Sequence, residues 1–413
     1  MVHNRVDGDP EPAHLLLDAP ETEFEALALV AHVTQRAFED LGPSAPFVAL
    51  LDAQQDRVDV HHRGWTENVA NQTFGPAAVS AGRSRLSPTA AGWTPKVRTM
   101  SALGKVVVLG AGNIGGSLAQ RLAEMDVARE VVLVDIIDGL PQGKALDIRQ
   151  SAPILGFSTQ VSGATNLEVL AGADVVVETA GLARKPGMSR SDLLEKNAGI
   201  VKGHAEAVRR HCPGAIVIVV TNPVDVMTYY FREVSGLPPS RVFGESGTLD
   251  TARFRTFVAE ALHVAPRDVT GFVLGTHGDT MVPLLSLTSV SGVPLPQILS
   301  PDQLAAIVTR TKQGGAEVVN LLKTGSAFYA PTASQAELVA AVAHDEHRLL
   351  PVAAHLAGEF GEKDVYIGVP VILGRQGVER IVEVELQPSE REAFRGSVAA
   401  VRADLEILAK LPK

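Results

Sequence analysis

One cysteine and no membrane-directing segment set the first limits on this protein. Cys212 is the only cysteine, so no internal disulfide can form, and we expect it to be a structural or surface thiol. The N-terminus has no basic stretch followed by an apolar run, and its early acidic residues argue against a mitochondrial transit peptide. No apolar run reaches the length that spans a bilayer. We therefore expect a cytoplasmic protein with no membrane partner.

Positive charge is also scarce. The formal net charge is −10, which argues against nucleic acid as a partner. A small anionic substrate remains compatible with this balance, because a few arginines can dominate the field inside a cleft. The 413 residues, of which 46% are hydrophobic, suffice for two or three globular domains with sizeable cores.

The first 99 residues differ from the rest of the chain. They mix acidic patches with Pro, Gly and Ser and contain a single lysine, Lys96. Residues 21–41 have helical periodicity, but no catalytic constellation is visible. His61 and His62 are adjacent and would rarely share a ligand face, so we predict no metal site. We expect residues 1–99 to be an extension, either a largely disordered tail or the product of a mis-assigned start with Met100 as the true initiator.

From residue 100 onwards, β-branched runs alternate with helical stretches, which is typical of a parallel sheet with helices on both faces. We therefore predict a Rossmann-type doubly wound α/β domain over residues 100–245. Its predicted strands are 105–109, 130–134, 173–178 and 215–220, and its predicted helices lie at 113–125, 142–150, 189–210 and 224–233.

Beyond residue 245 the pattern becomes that of an α+β domain, predicted over residues 246–413. We expect it to pack on the sheet and close one side of a cleft. Its last helix follows Ser389-Glu390-Arg391-Glu392, which fits a capping box, and carries one apolar face. The other predicted elements are helices at 250–262 and 304–322 and strands at 270–274, 282–293 and 365–373.

A glycine-rich turn directly follows the first predicted strand and opens a helix. Its first glycine permits a tight turn, the second lets the backbone approach a pyrophosphate, and the third lets helix and strand pack closely. Asp135 ends the second strand twenty residues after this turn, where a carboxylate accepts hydrogen bonds from ribose hydroxyls and repels a 2′-phosphate. We therefore predict NAD as the cofactor. The turn residues are Gly110, Ala111, Gly112, Asn113, Ile114 and Gly115.

Polar residues also follow the third and fourth predicted strands, at the sheet edge where open α/β folds bind ligands. Arg184 and Arg190 lie six residues apart around Pro186-Gly187, which suits a lid that closes on an anion. Asn222 could hydrogen-bond a substrate oxygen or the nicotinamide, cap the helix that Pro223 starts, or do both.

Reduction of a ketone to an alcohol needs a proton as well as a hydride. His277, between small residues at the end of a predicted strand, fits as the general acid–base. Asp250 would orient the imidazole, and Arg253, three residues along the same helix, would bind a substrate carboxylate. Arg190 would polarise the substrate carbonyl. Singly, each residue could be structural, but together they predict a 2-hydroxyacid dehydrogenase.

Seven ordered segments resemble the malate/lactate dehydrogenase family, most closely its bacterial, lactate dehydrogenase-like malate dehydrogenase branch. The resemblance covers residues 102–411, about three quarters of the chain. The segments are GAGNIG, DIIDGLPQGKALDI, AGLARKPGMSRSDLLEKNAGI, VVTNPVDVMTY, LDTARFR, GTHGDTMVP and LLKTGSAFYAP.

The resemblance implies the same proton donor–acceptor, His277, with Asp250 and Arg253 beside it. It also implies that Arg184 pairs with the second carboxylate of oxaloacetate. Pyruvate would leave that arginine unpaired opposite a methyl group, so lactate chemistry should be disfavoured. A dimer or, as we expect, a tetramer of identical chains is implied as well. The residues implied at the cofactor are Asn197, Val220, Thr221 and Asn222.

We therefore predict reversible hydride transfer between malate and oxaloacetate, a step of the tricarboxylic acid cycle. One alternative is a lactate or other 2-hydroxyacid dehydrogenase. Another is a catalytically silent NAD-binding protein. The complete charged set argues against silence, because a scaffold has no use for a buried cluster of charges.

Overall fold

A computed structural model describes residues 103–182 and 190–410, and for Arg190 it describes the backbone only. The strands are β1 (Leu103–Leu109), β2 (Ala128–Val134), β3 (Gln160–Ala164), β4 (Val175–Glu178), β5 (Ile216–Val219), β6 (Val242–Gly244), β7 (Val269–Thr270), β8 (Val273–Leu274), β9 (Val282–Pro283), β10 (Ser289–Val290), β11 (Val293–Pro294), β12 (Arg348–Ala357), β13 (Lys363–Gly374) and β14 (Gly377–Ile381). The α-helices are α1 (Asn113–Glu124), α2 (Leu140–Leu155), α3 (Arg190–His211), α4 (Val224–Ser235), α5 (Gly247–Leu262), α6 (Pro301–Leu322), α7 (Tyr329–Ala343) and α8 (Pro388–Ala409).

A nine-stranded sheet carries the core, in the order β14-β13-β12-β6-β5-β4-β1-β2-β3. Strands β1 to β6 are parallel, and Val106 of β1 pairs with Val131 on one side and Val175 on the other. Their Val- and Ile-rich sequences are buried because helices cover both faces of a parallel sheet. The predicted Rossmann-type sheet followed by an α+β part is confirmed.

The second half of the chain extends this same sheet. Strand β12 pairs antiparallel with β6 through Ala353 and Gly244, and β13 and β14 continue outward. Strands β3, β6, β12 and β14 and helix α7 were not predicted. In β12 the interior Pro351 hides the strand pattern, since proline is usually excluded from central strands.

The strand predicted at 270–274 is wrong, because β7 and β8 belong to two different small sheets. Gly271 and Phe272 separate the two strands, and a Cβ on Gly271 would lie 2.6 Å from the hydroxyl oxygen of Thr288, so this position has no room for a side chain. The run predicted at 282–293 contains the two-residue strands β9 and β10 and reaches β11, with a 3₁₀ turn at Leu285–Leu287 between the first two.

The predicted capping box at Ser389 is also wrong. Helix α8 begins two residues earlier, with Gln387 as its cap and Glu390 as the reciprocal partner. Pro388 at the first helical position explains the earlier start, because its fixed φ is already helical.

The structure also tests the predictions made for Cys212 and for membrane-spanning segments. Cys212 is buried, with 5% of its surface exposed, which favours the structural thiol. In the described part of the chain, no helix is long and apolar enough to cross a membrane. The predictions for the N-terminal extension, including the helix at 21–41 and His61 and His62, lie outside the described residues.

Candidate active site

The glycine-rich turn between β1 and α1 has the geometry that a dinucleotide needs. Gly110 has a φ of 96°, which side-chain-bearing residues rarely adopt, and a Cβ on Gly115 would lie 1.8 Å from the carbonyl oxygen of Gly110. A Cβ on Gly112 would meet nothing within 4 Å, so the chain leaves open space there. No side chain caps the N-terminus of α1, which leaves its N–H groups and positive dipole end for an anion.

Asp135 lies at the end of β2, beside this turn. One carboxylate oxygen accepts the Ala111 N–H at 2.8 Å and the other accepts the Ile137 N–H at 3.0 Å. The carboxylate therefore holds the turn in place and retains acceptor capacity for ribose hydroxyls.

Lys144, from α2, is a cation beside the turn that the sequence analysis missed. Its ammonium group donates to the carbonyl oxygen of Gly112 at 2.8 Å, and its side chain passes 3.0 Å from where a Cβ on Gly116 would be. The position of Lys144 adds positive charge close to the expected pyrophosphate.

The ends of β4 and β5 meet around Asn197, which is fully buried. Its side chain accepts from the Leu182 N–H at 2.8 Å and donates to the Asn222 carbonyl oxygen at 2.7 Å. Asn197 thus braces the two strand ends against each other. Thr221 joins them as well, since its hydroxyl donates to the Ala180 carbonyl oxygen at 2.6 Å.

Asn222 has an exposed side chain, and Val220 before it is buried. Helix α4 is capped by Pro223, and no side chain makes a capping hydrogen bond. The capping role considered for Asn222 is therefore wrong, which leaves this amide available to a ligand.

His277, Asp250 and Arg253 form one hydrogen-bonded chain. The Nδ1 atom of His277 lies 2.8 Å from one oxygen of Asp250, and the guanidinium of Arg253 donates to the other oxygen at 3.1 Å. Asp250 is almost fully buried, so both charged partners compensate a carboxylate that water cannot reach. With Nδ1 engaged, Nε2 is the ring nitrogen left to exchange a proton with a substrate.

The surroundings favour the protonated form of His277. Burial alone disfavours the imidazolium, but the charge of Asp250 and its hydrogen bond, with a contribution from Glu245, raise the pKa of His277 to about 9. Arg253 opposes this increase. These surroundings therefore keep the imidazole protonated at neutral pH.

Two further buried carboxyls near His277 were missed. Asp225 accepts the backbone N–H of His277 at 3.1 Å, and Glu245 accepts from the Ser334 hydroxyl at 2.7 Å. Burial raises the pKa of each to about 7. Asp225 sits in the TNPVD segment that drew attention to Asn222, whereas no local pattern distinguishes Glu245.

Arg253 has room because two glycines of α6 face it. A Cβ on Gly314 would lie 3.3 Å from Cδ of Arg253, and one on Gly315 would lie 3.8 Å from its guanidinium. A mid-helix glycine costs about 1 kcal/mol relative to alanine. The close approach of Arg253 accounts for Gly314, whereas a side chain on Gly315 would make an ordinary contact. Arg184 and the side chain of Arg190 lie outside the described residues, and the backbone of Arg190 begins α3.

A dinucleotide-binding sheet joined to a half-buried histidine and its buried carboxylate partner defines the class of NAD-dependent oxidoreductases. Two domain profiles match this chain: lactate/malate dehydrogenase, NAD binding domain, at residues 104–244, and lactate/malate dehydrogenase, alpha/beta C-terminal domain, at residues 247–411. The chain belongs to the lactate/malate dehydrogenase family. Its cofactor is NAD, as the first profile describes.

Several relatives are similar over most of their length. A malate dehydrogenase of Chloroherpeton thalassium is 51% identical over 302 residues, covering 73% of this chain and 97% of the relative. A solved malate dehydrogenase from Salinibacter ruber is 48% identical, with a TM-score of 0.71, covering 74% of this chain and 98% of the other. A lactate dehydrogenase from Cryptosporidium parvum, solved with lactic acid and nicotinamide adenine dinucleotide, is 41% identical with a TM-score of 0.73, covering 75% and 99%.

Proposed function

We propose that this chain is an NAD-dependent malate dehydrogenase that interconverts (S)-malate and oxaloacetate. The observation that carries the proposal is the hydrogen-bonded chain His277–Asp250–Arg253. In this proposal His277 is the proton donor and Arg253 binds the substrate carboxylate, and the support is that the protein is about half identical to several malate dehydrogenases. Together these features favour a 2-hydroxyacid as the substrate, and the relatives' name favours malate.

The protein's own part in the reaction is proton transfer and charge stabilisation. During reduction, Nε2 of His277 gives its proton to the oxygen of the former carbonyl group, and in the reverse direction it takes that proton back. Asp250 keeps Nδ1 protonated and stabilises the imidazolium. Arg190 would stabilise the negative charge that develops on the carbonyl oxygen, and Arg253 would hold the carboxylate next to it.

The cofactor fits the described residues. When bound, NADH supplies the hydride and NAD accepts it. The open space at Gly112 and the uncapped N-terminus of α1 would receive the pyrophosphate, and Asp135 would receive the ribose hydroxyls. The remaining residues assigned to the cofactor are Gly110, Ala111, Asn113, Ile114, Gly115, Asn197, Val220, Thr221 and Asn222.

Substrate choice rests on Arg184 in this proposal. The second carboxylate of oxaloacetate would compensate its charge, whereas the methyl group of pyruvate would leave it unpaired in a closed site. Purified protein should therefore reduce oxaloacetate with NADH much faster than pyruvate in the same assay. Faster reduction of pyruvate would overturn the choice of malate.

Arg184→Gln tests the residue itself. We expect kcat/KM for oxaloacetate to fall about a hundredfold or more, because the second carboxylate would lose its charged partner, while the rate with pyruvate changes far less. Lys185→Gln removes the same charge from the neighbouring position and should leave the ratio of the two rates close to the original. Equal losses for both substrates in Arg184→Gln would refute the assigned role.

A lactate dehydrogenase is the second candidate, favoured by the similarity to the Cryptosporidium parvum lactate dehydrogenase. The comparison of oxaloacetate with pyruvate separates the two. A protein that binds NADH but turns over neither substrate would instead support the silent NAD-binding alternative.

We also propose that residues 100–245 and 246–413 are the cofactor and substrate domains, and that identical chains assemble as tetramers in the cytoplasm. The two matched ranges support the division. Exposed apolar side chains on α2, namely Leu146, Ile154 and Leu155, support contact with another chain. Light scattering tests the assembly, since a single-chain mass would contradict it.

A further inference from the structure

A buried acid lies at the end of β4, next to the dinucleotide turn, and the mechanism does not use it. Glu178 follows Val175, Val176 and Val177 and is fully buried in the centre of the parallel sheet. Removing a carboxylate from water is costly unless a counter-charge and hydrogen bonds replace the water. The groups that bond to Glu178 therefore indicate why an acid occupies this position.

The counter-charge is His204, from α3. Its Nδ1 atom lies 2.7 Å from one oxygen of Glu178, and only 15% of the histidine side chain is exposed. Burial disfavours the imidazolium, but the charge and hydrogen bond of Glu178, with a smaller contribution from Asp135, raise the pKa of His204 above its ordinary value. Among the described residues, the elements packed against α3 contribute no other charge that shifts this pKa.

The other oxygen of Glu178 points back to the cofactor edge. It accepts the backbone N–H of Ala180 at 3.0 Å and lies 3.4 Å from the hydroxyl of Thr221. The dinucleotide turn packs against Ala180, because a Cβ on Gly110 would lie 2.8 Å from the backbone nitrogen of Ala180. Between them, the Thr179 hydroxyl donates to the carbonyl oxygens of Leu109 and Gly110. Glu178 thus holds in place both Ala180 and the end of β5, where Thr221 lies.

We propose that the ion pair between Glu178 and His204 positions the cofactor-binding edge and makes NADH affinity depend on pH. The pair touches neither substrate nor reacting atoms, so it acts through Ala180 and Thr221. The inference rests on NAD binding by this chain, as the proposed function does. Once His204 loses its proton, the buried carboxylate of Glu178 has no counter-charge and holds Ala180 less firmly.

The direction with pH follows from the raised pKa. Below it, the imidazolium is present and the pair is intact. As the pH rises through the pKa of His204, the contribution of the ion pair to NADH binding is lost. Replacing a charge-assisted hydrogen bond by a neutral one should weaken NADH binding by about fivefold.

The test measures the Kd for NADH by fluorescence titration of the whole chain from pH 6 to pH 9.5. His204→Asn keeps a donor near the Nδ1 position but cannot be protonated, and Glu178→Gln removes the charge. We expect the wild type to lose affinity about fivefold over this range, and both variants to bind weakly without that pH step. At saturating NADH, kcat should change less than twofold.

A matched control is His347→Asn, because His347 makes the same contact with Glu379, 2.8 Å from Nδ1, on the exposed surface. Its Kd profile should match that of the wild type. If His204→Asn follows the wild-type profile, or loses kcat with an unchanged Kd, the inference is wrong. If Glu178→Gln does not fold, His204→Asn still decides. A wild type that binds NADH but does not reduce oxaloacetate would refute the proposed function and leave this test intact.

Discussion

Asp250 controls the protonation of His277, and Asp250→Asn measures how strongly. The ordinary histidine value of 6.5 and the raised value of about 9 differ by an amount that corresponds to about 3 kcal/mol in favour of the imidazolium. Asparagine removes the charge that most favours protonation. Burial and Arg253 still oppose protonation, and the contribution of Glu245, which favours it, is smaller than that of burial. The pKa of His277 in the variant should therefore fall below 6.5.

The consequence appears in the reduction of oxaloacetate, which needs protonated His277. In the wild type, kcat/KM should stay level until the pH approaches 9 and then fall, because the acid is lost above its pKa. In Asp250→Asn the fall should begin below pH 6.5. At pH 7.5 only about a tenth or less of the variant is protonated, so kcat/KM drops about tenfold from protonation alone. Loss of imidazolium stabilisation in the transition state adds to this drop.

The assay is the pH dependence of initial rates at saturating NADH, from pH 5.5 to pH 10. Asp279→Asn is the control, since it removes an exposed carboxylate two residues from His277 in the same loop. Its profile should stay close to that of the wild type. If Asp250→Asn keeps a level profile up to about pH 9, then Asp250 does not set the protonation of His277.

Two further predictions concern other residues. Gly112→Ala should fold with an unchanged Tm but bind NADH at least about tenfold more weakly, because its Cβ meets only the space left for the pyrophosphate. Gly115→Ala should lower both Tm and NADH affinity, because its Cβ would overlap the Gly110 carbonyl. A Gly112→Ala variant with wild-type affinity would contradict the placement of the pyrophosphate. Burial raises the pKa of the Cys212 thiol to about 11, so it should not react with Ellman's reagent at pH 8 until the protein is unfolded; rapid reaction of the folded protein would show an accessible thiol.

Local patterns in the chain were enough to predict the cofactor edge. A β-branched run, a turn with glycines at fixed spacing and an acid at the end of the next strand are set by residues close together in sequence. Gly110, Gly115 and Asp135 accordingly lie where the pattern places them. The same reasoning failed at 270–274, because β7 pairs with β10 and β8 pairs with β9, and both partners lie outside the local window.

The proton-transfer site could be predicted only in part. The residue types His277, Asp250 and Arg253 were recognisable, because the chemistry of hydride transfer requires a proton donor and a cation. Asp225, Glu245 and Lys144 were not, since an acid or a lysine in isolation has no distinguishing spacing. Their roles arise from partners such as Ser334, 89 positions along the chain from Glu245.

The sequence by itself determined the fold class, the dinucleotide turn and the candidate set of reacting side chains, because each depends on short-range spacing or on residue chemistry. The tertiary structure alone decided which groups share a proton and which charges are buried together. The pairing of Glu178 with His204 and the clustering of three carboxyls near His277 depend on strands and helices brought together by the sheet. Burial and distance set pKa values, and neither can be known before the chain is folded.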